Sequence, residues 1–428
     1  MSSREFVFDR SFELAERILY ILLCGAFVSF AVYVYILPFF PAFKFIKDFL
    51  FISIGIISLI NLRRKSFSFH PGMVDLFVFI FGVYLIFHLI YTALHIKSLM
   101  VAYLGLRLNF LPILSYFGFR SLRSERYKRN CFSLFVLIML IAVIFTLIEF
   151  FLFTYNLVPQ DFFCNLSGAC SVRDNQTLGY FQRIYGLMGS PHNSGIFHMC
   201  FLAVLLFSSE RSNNNPWPKY LYRRHIRTLL LFLTVSAIFI STSKTSWIIF
   251  FVIMGLMIIR ERRINMERIM LLILGVFFLY LMAFQTPGQT ERVVNQLILG
   301  TFKIKTEQVV SFFNGFTKKN PIIGNGYSYI NSYQYNAPNL PKENMVVTGD
   351  FFFIDLLHMI GLIGVIILSI LLIFFPSRTF FLEQYSLSQK SSALGVLSIA
   401  MQFLHYSPLA NPLIGITIWY LVSNLAEK

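Results

Sequence analysis

Residues 131–156 read CFSLFVLIMLIAVIFTLIEFFLFTYN, an apolar run whose one charged residue is Glu149. A helix needs about 20 such residues to cross a hydrocarbon core of ~30 Å, so this stretch is long enough to span a bilayer. Comparable runs recur at 17–37, 43–62, 73–95, 98–118, 193–209, 228–240, 246–260, 268–285, 350–374, 391–406 and 412–425. The composition agrees: 57% of the 428 residues are hydrophobic and 13% charged, with a mean hydropathy of +0.68. Soluble globular enzymes have roughly 45–50% apolar and about 25% charged residues, so that class is excluded. The expected fold is an all-α polytopic integral membrane protein, one transmembrane domain over 1–428 with twelve helices.

The formal charge of +16 invites a nucleic-acid reading, but the placement of the 36 Lys and Arg residues argues against it. With the N-terminus in the cytoplasm, most of them fall on the inner side, including Arg63-Arg64-Lys65 and the clusters 120–129, 219–227 and 260–268. This is the positive-inside pattern, and an even number of spans puts both termini in the cytoplasm. The basic charge is therefore read as topology, with membrane lipids and no nucleic acid as partners. The first 17 residues alternate charges with Phe and Leu and lack a small-residue cleavage site, so no removable signal peptide is expected. Cys24, Cys131 and Cys200 lie in apolar runs, whereas Cys164 and Cys170 share a polar loop where a short disulfide is plausible.

The stretch 228–259 is either one over-long helix or a hairpin. The run Ser241-Thr-Ser-Lys-Thr-Ser246 favours a hairpin, because hydroxyl side chains compete for backbone hydrogen bonds. Each arm is then expected to be about 13 residues, ~20 Å, and Lys244 at the tip should lie inside the membrane profile. Two outer loops are long enough to carry function: 157–192, and the large loop 286–349. The latter holds an amphipathic stretch (Val293, Val294, Leu297, Ile298, then Val309 to Phe313) suited to the outer leaflet. No Walker sequence occurs, so no ATP-driven work is expected.

Three spans expected to run inward begin with polar residues: Gly189-Ser-Pro-His192-Asn193, then Ser243-Lys244, then Thr348-Gly349-Asp350. Helix N-termini combined with Arg183 and Lys244 make an anion site. At membrane depth, such an anion is most simply a lipid phosphate or pyrophosphate. Plainer roles exist for each: Ser243, Thr348 and Asp350 also suit helix caps, and Arg183 also suits headgroup binding. Lys244 is harder to assign to structure alone, because charge inside the membrane is usually functional or paired. Arg107 lies within a span; it could pair with Glu149 or reach the anion. Asp355 and His358 share a helical face as a polar pair or a proton relay.

The string Arg183-Ile-Tyr-Gly-Leu-Met-Gly-Ser-Pro-His-Asn193 resembles the Arg…Gly…Pro-Asn signature of the O-antigen ligase and polymerase superfamily of bacterial membrane glycosyltransferases. Ser241-Thr-Ser-Lys244 is similar to that family's Ser-x-Ser-Arg turn, with Lys in place of Arg. Asn320-Pro-Ile-Ile-Gly324-Asn-Gly326-Tyr327 resembles its Asn-Pro-x-x-Gly-x-Gly element, and Asp350 precedes Gly361-Leu-Ile-Gly364 at the family's spacing. The resemblance covers roughly 180–375. Ligases typically carry a His where Asp350 stands, whereas many repeat-unit polymerases carry an Asp.

The resemblance thus implies a GT-C-like membrane glycosyltransferase with a large periplasmic loop, an O-antigen polymerase in the bacterial inner membrane. Its substrates would be undecaprenyl-pyrophosphate-linked oligosaccharides, joined at the periplasmic face, with a chain-length regulator and a flippase as further partners. Arg183 and Lys244 would stabilise the leaving pyrophosphate and Asp350 would orient the acceptor hydroxyl, with His192 as an alternative base. Asn193, Ser243, Arg107 and Tyr327 are expected to contact substrate. No Asp-x-Asp pair occurs, so no metal or cofactor is expected. The rivals are a ligase that transfers polymer to lipid A-core, and a lipid-linked sugar transporter with an internal repeat and helices interrupted at the midplane.

Overall fold

The computed structural model of the chain describes residues 3–62, 71–96, 99–159, 162, 184–208, 221, 223–241, 243–261, 266–284, 320–324, 326, 352–403, 409 and 411–426. Arg183, Tyr327, Thr348, Asp350, Cys164, Cys170 and the amphipathic stretch 293–313 lie outside them. Among the described residues the secondary structure is helical, and every apolar run named above carries helix.

The first half comprises α1 (Ser3–Ala31), α2 (Tyr33–Ile36), α3 (Phe43–Leu62), α4 (Met73–Ile96), α5 (Leu99–Asn109), α6 (Leu114–Ser121) and α7 (Glu125–Thr154). The second comprises α8 (Pro191–Phe207), α9 (Arg224–Ile240), α10 (Lys244–Glu261), α11 (Met266–Phe284), α12 (Phe352–Ser369), α13 (Phe375–Phe381), α14 (Leu387–Gln402) and α15 (Pro412–Leu425). Among the described residues five helical stretches are long and apolar enough to cross a membrane: Glu13–Ala31, Phe45–Leu62, Met73–Leu94, Glu125–Thr154 and Phe352–Phe381. The run expected over 98–118 is divided, because Pro112 lacks the N–H that would continue α5 and a 3₁₀ turn over Leu111–Ile113 leads into α6. The run expected over 350–374 is interrupted at Gly361.

Burial sorts the helices into two shells. In α8 every residue but His192 is buried, and α14 and α15 are nearly as enclosed. A helix apolar on all sides can be satisfied only by neighbours all round or by lipid. α8 takes the first course, packed against α7, α9, α10 and α14, while α15 packs on α6 and α14. The long helices take the second: α4 turns Leu76, Phe79, Ile80, Val83, Ile86, Phe87, Ile90 and Leu94 outward. An apolar stripe of that length on a water-exposed protein would drive association; on a helical membrane protein it meets acyl chains.

Polar ties hold the end of the bundle that carries the basic clusters. Arg120 grips both oxygens of Asp75 at 2.8 and 2.9 Å, and Tyr116 donates to the same carboxylate at 2.7 Å. Glu16 of α1 accepts from the backbone N–H groups of Arg123 and Ser124 at 2.8 and 2.7 Å, satisfying donors ahead of α7. Arg227 of α9 pairs with Glu267 of α11 at 2.9 Å.

Candidate functional site

The expected break in 228–259 is present, with α9 ending at Ile240 and α10 starting at Lys244. The turn closes on its own hydroxyls: Ser241 Oγ donates to the Ile238 carbonyl at 2.7 Å, and Ser246 Oγ donates to Ser243 Oγ at 2.9 Å. Trp247 Nε1 reaches back to the carbonyls of Ile238 and Phe239 at 3.3 and 3.2 Å, sealing the end of α9. The arms are 17 and 18 residues, longer than the 13 expected. Arg224 to Arg227 and Arg260-Glu261 join the helices at their far ends, because helical hydrogen bonding continues past the apolar run until a turn ends it.

The turn meets the start of α8. His192 Nδ1 lies 3.2 Å from Ser243 Oγ, so two of the expected site residues, 51 positions apart, are in contact. Gly195 allows this approach: a Cβ there would lie 2.4 Å from Ser246 Oγ and 3.0 Å from Ser241 Oγ. Gly195→Ala should therefore push the serine turn away from α8 and destabilise the protein by about 1–3 kcal/mol, read as thermal unfolding in detergent. An unchanged melting curve would contradict the contact. Lys244, half-buried, is the first residue of α10 and stands beside this junction, and Asn193 is buried with Oδ1 making no hydrogen bond.

The segment 184–189 that leads into α8 is wholly buried and is held from four elements. Glu149 of α7 accepts from the N–H groups of Tyr185 and Gly186 at 2.8 and 2.7 Å, one per carboxylate oxygen. Tyr35 of α2 donates to the Gly186 carbonyl at 2.6 Å, Ser194 of α8 to the Tyr185 carbonyl at 2.7 Å, and Asn411 beside α15 to the Met188 carbonyl at 3.5 Å. A loop inside a membrane protein must satisfy its backbone within the protein, and these side chains do so. The expected pairing of Arg107 with Glu149 does not occur. Arg107 instead lies 2.8 Å from Asp48 of α3, and Glu149 is committed to backbone donors. Glu149 as a loop clamp escaped the sequence reading, although a lone carboxylate in an apolar span was its signal.

A second pair of motif segments also meets. α12 is interrupted at Gly361, whose φ of 63° and ψ of −176° leave the helix. Residues 320–324 and Gly326 fill the gap: Leu362 N donates to the Pro321 carbonyl at 3.0 Å, Ile363 N to the Ile322 carbonyl at 3.2 Å, and Gly326 N to the Met359 carbonyl at 3.0 Å. Tyr84 of α4 donates to the Ile360 carbonyl at 2.6 Å. The Asn-Pro-Ile-Ile-Gly segment thus supplies the partners that a continuous helix would have supplied itself. Asp355 and His358, both buried, lie on the half of α12 before the break. Phe353 N donates to the Phe403 carbonyl at 3.0 Å, tying the start of α12 to the end of α14.

Among the described residues, no group of three or more His, Cys, Asp and Glu side chains is arranged to hold a metal ion. A surface depression between Arg224, Thr228, Glu267 and Met270 lies at the opposite end of α9 from the serine turn and takes no part in this site. Comparison with family models, with curated proteins and with solved structures found no match for this chain.

Proposed function

We propose that this protein is a membrane glycosyltransferase that polymerises lipid-linked oligosaccharide repeat units, with twelve spans, both termini in the cytoplasm and its site facing the periplasm of a bacterial inner membrane. The observation that carries the reading is the His192–Ser243 contact at 3.2 Å, which joins two of the segments that resemble the family signature. The docking of 320–326 into the break at Gly361, joining the other two, supports it independently.

In this reading the acceptor hydroxyl oxygen bonds to the anomeric carbon of the donor sugar, and the bond from that carbon to the pyrophosphate oxygen breaks. The hydroxyl proton leaves to Asp350 or His192, and the electron pair goes to the pyrophosphate. Arg183, Lys244 and the N-termini of α8 and α10 stabilise that developing charge in a site held rigid before reaction. A carboxylate with the usual pKa of ~3.9 is a weak base for a sugar hydroxyl, so Asp350 acts mainly by orienting it. His192 has its ring oriented by Ser243 through Nδ1. No divalent cation is required in this scheme, so activity that is lost with chelator and restored by Mg²⁺ or Mn²⁺ would contradict it.

The test is the surface-glycan ladder of a strain whose only copy is this protein, compared with Arg183→Ala and Asp350→Asn at matched expression. The ladder should collapse to a single repeat unit on the lipid core, a loss of about 10²-fold or more if Arg183 meets the leaving group. Polymer that accumulates on the lipid carrier while the core stays bare would make the protein a ligase. The interruption of α12 is the one observation that favours a transporter, since such proteins bind substrate at broken helices. Here the break is filled by the chain's own segment 320–326, and an unchanged ladder is the result that would bring transport forward.

A further inference from the structure

Three charges converge in otherwise apolar helices, away from the His192–Ser243 junction. Lys47 and Asp48 are the charged residues of the span Phe45–Leu62, and Arg107 is that of Leu99–Asn109. Their exposures are 4%, 5% and 9%. Arg107 Nε approaches Asp48 Oδ2 to 2.8 Å without the alignment of a hydrogen bond, and both Asp48 oxygens are buried with no hydrogen-bond partner. Among the described residues Lys47 has no carboxylate within ion-pair distance, and its ammonium sits 5.9 Å from the centre of the Tyr33 ring. The Arg107 guanidinium lies 5.6 Å from the centre of the Phe45 ring.

One carboxylate between two cations leaves a net charge of +1 within a membrane span. Buried intramembrane cations pair with one another or mark a substrate path. The aromatic faces of Tyr33 and Phe45 attract the two cations but supply no negative charge to balance them. The cluster is therefore suited to an anion, and Asp48 Oδ1, buried without a hydrogen-bond partner, offers an acceptor for a hydroxyl group beside it. α2 joins this cluster to the first site. Tyr33 lies beneath Lys47, whereas Val34 fills the space next to Gly189 and Tyr35 holds the Gly186 carbonyl.

We propose that Lys47, Arg107 and Asp48 form a second anion site, which binds the phosphate or pyrophosphate of a membrane-anchored isoprenoid carrier. The ligand's identity rests on the polymerase reading, in which donor and acceptor each bring a pyrophosphate to one face of the protein. The acceptor's carrier then occupies this cluster while the donor's meets Arg183 and Lys244. Lys47 and Arg107 hold the phosphate oxygens, and Asp48 accepts from a hydroxyl of the adjoining sugar.

The test is native mass spectrometry of the full chain in detergent with farnesyl pyrophosphate as the probe, and phosphatidylglycerol in a parallel arm. The wild type should bind two farnesyl pyrophosphates, Lys47→Met one and Arg183→Ala one, with the Lys47 site at least ten-fold weaker in Lys47→Met and retained in Lys47→Arg. If Lys47→Met fails to fold, Arg107→Gln takes its place: it should bind one farnesyl pyrophosphate, and a stoichiometry of two in that variant would overturn the site. A single ligand that Arg183→Ala removes and Lys47→Met leaves untouched would overturn the second site and leave the proposed function standing. A single ligand sensitive to Lys47→Met alone would uphold the second site and count against the first. Phosphatidylglycerol that resists displacement from the Lys47 site by ten-fold excess farnesyl pyrophosphate would overturn the carrier assignment.

Discussion

Glu149→Ala should destabilise the purified protein by about 2–6 kcal/mol, because it strands two buried N–H groups at about 1–3 kcal/mol each. Those donors belong to Tyr185 and Gly186, 2.8 and 2.7 Å from the carboxylate, in a segment that has no access to water. The other ties to this segment, from Tyr35, Ser194 and Asn411, reach carbonyl oxygens and cannot replace the lost acceptors. The measurement is thermal unfolding in detergent, where the apparent melting temperature should fall by several degrees. Glu149→Gln should do less harm, since its amide oxygen keeps one acceptor while its NH₂ faces the remaining N–H. Because the clamped segment leads directly into the start of α8, where His192 and Asn193 lie, Glu149→Ala should also shorten the glycan ladder. Melting behaviour equal to wild type would mean that the carboxylate does not hold the loop.

Gly361→Ala should be at least as damaging. A side chain at φ 63° and ψ −176°, a region essentially restricted to glycine, costs about 1–3 kcal/mol by itself. Its Cβ would also lie 2.3 Å from the Ile323 carbonyl carbon and 2.4 Å from Gly324 N, backbone atoms that cannot rotate away. Expelling 320–326 would leave the donors of Leu362 and Ile363 without partners at membrane depth, a further ~1–3 kcal/mol each. Gly324→Ala should give the same phenotype from the other side, since its φ is 88° and its Cβ would meet the Met359 carbonyl oxygen at 2.5 Å. The control is Gly82→Ala in α4, where nothing lies within 4 Å and helix propensity improves by at most ~1 kcal/mol. Folded yield and melting temperature are the readouts. Equal behaviour of Gly361→Ala and Gly82→Ala would show that the segment and the broken helix are not coupled.

Residue by residue, the site was legible where the signal is local and hidden where it is a meeting of distant groups. The serine run at 241–246 announced a turn, and a turn is there, because hydroxyl groups two to four positions from a carbonyl find it in any fold. The Asn-Pro-x-x-Gly segment and the Gly361 segment were each visible as strings. That one completes the backbone of the other was not, since hydrogen bonds between residues some forty positions apart depend on how the chain folds back. Arg107 and Glu149 illustrate the failure most clearly. Both are charges in neighbouring apolar runs, and sequence alone leaves Arg107 free to pair with Glu149 or to reach an anion. Packing brought Asp48 to Arg107 and two backbone donors to Glu149 instead.

By itself the amino-acid order determined that this is a helical membrane protein, because apolar length and charge placement act through the solvent and need no knowledge of neighbours. It also determined where the chain turns, through Pro, Gly and hydroxyl residues whose effects are confined to a few bonds. Only the tertiary structure decided which helices are enclosed and which face lipid, since α4 is the more apolar of the two yet turns a face outward, while α8 is enclosed on all sides. It alone decided the partner of each buried charge. In a medium without water every charge and every free backbone group must find a partner in the protein, and that choice belongs to the packing as a whole.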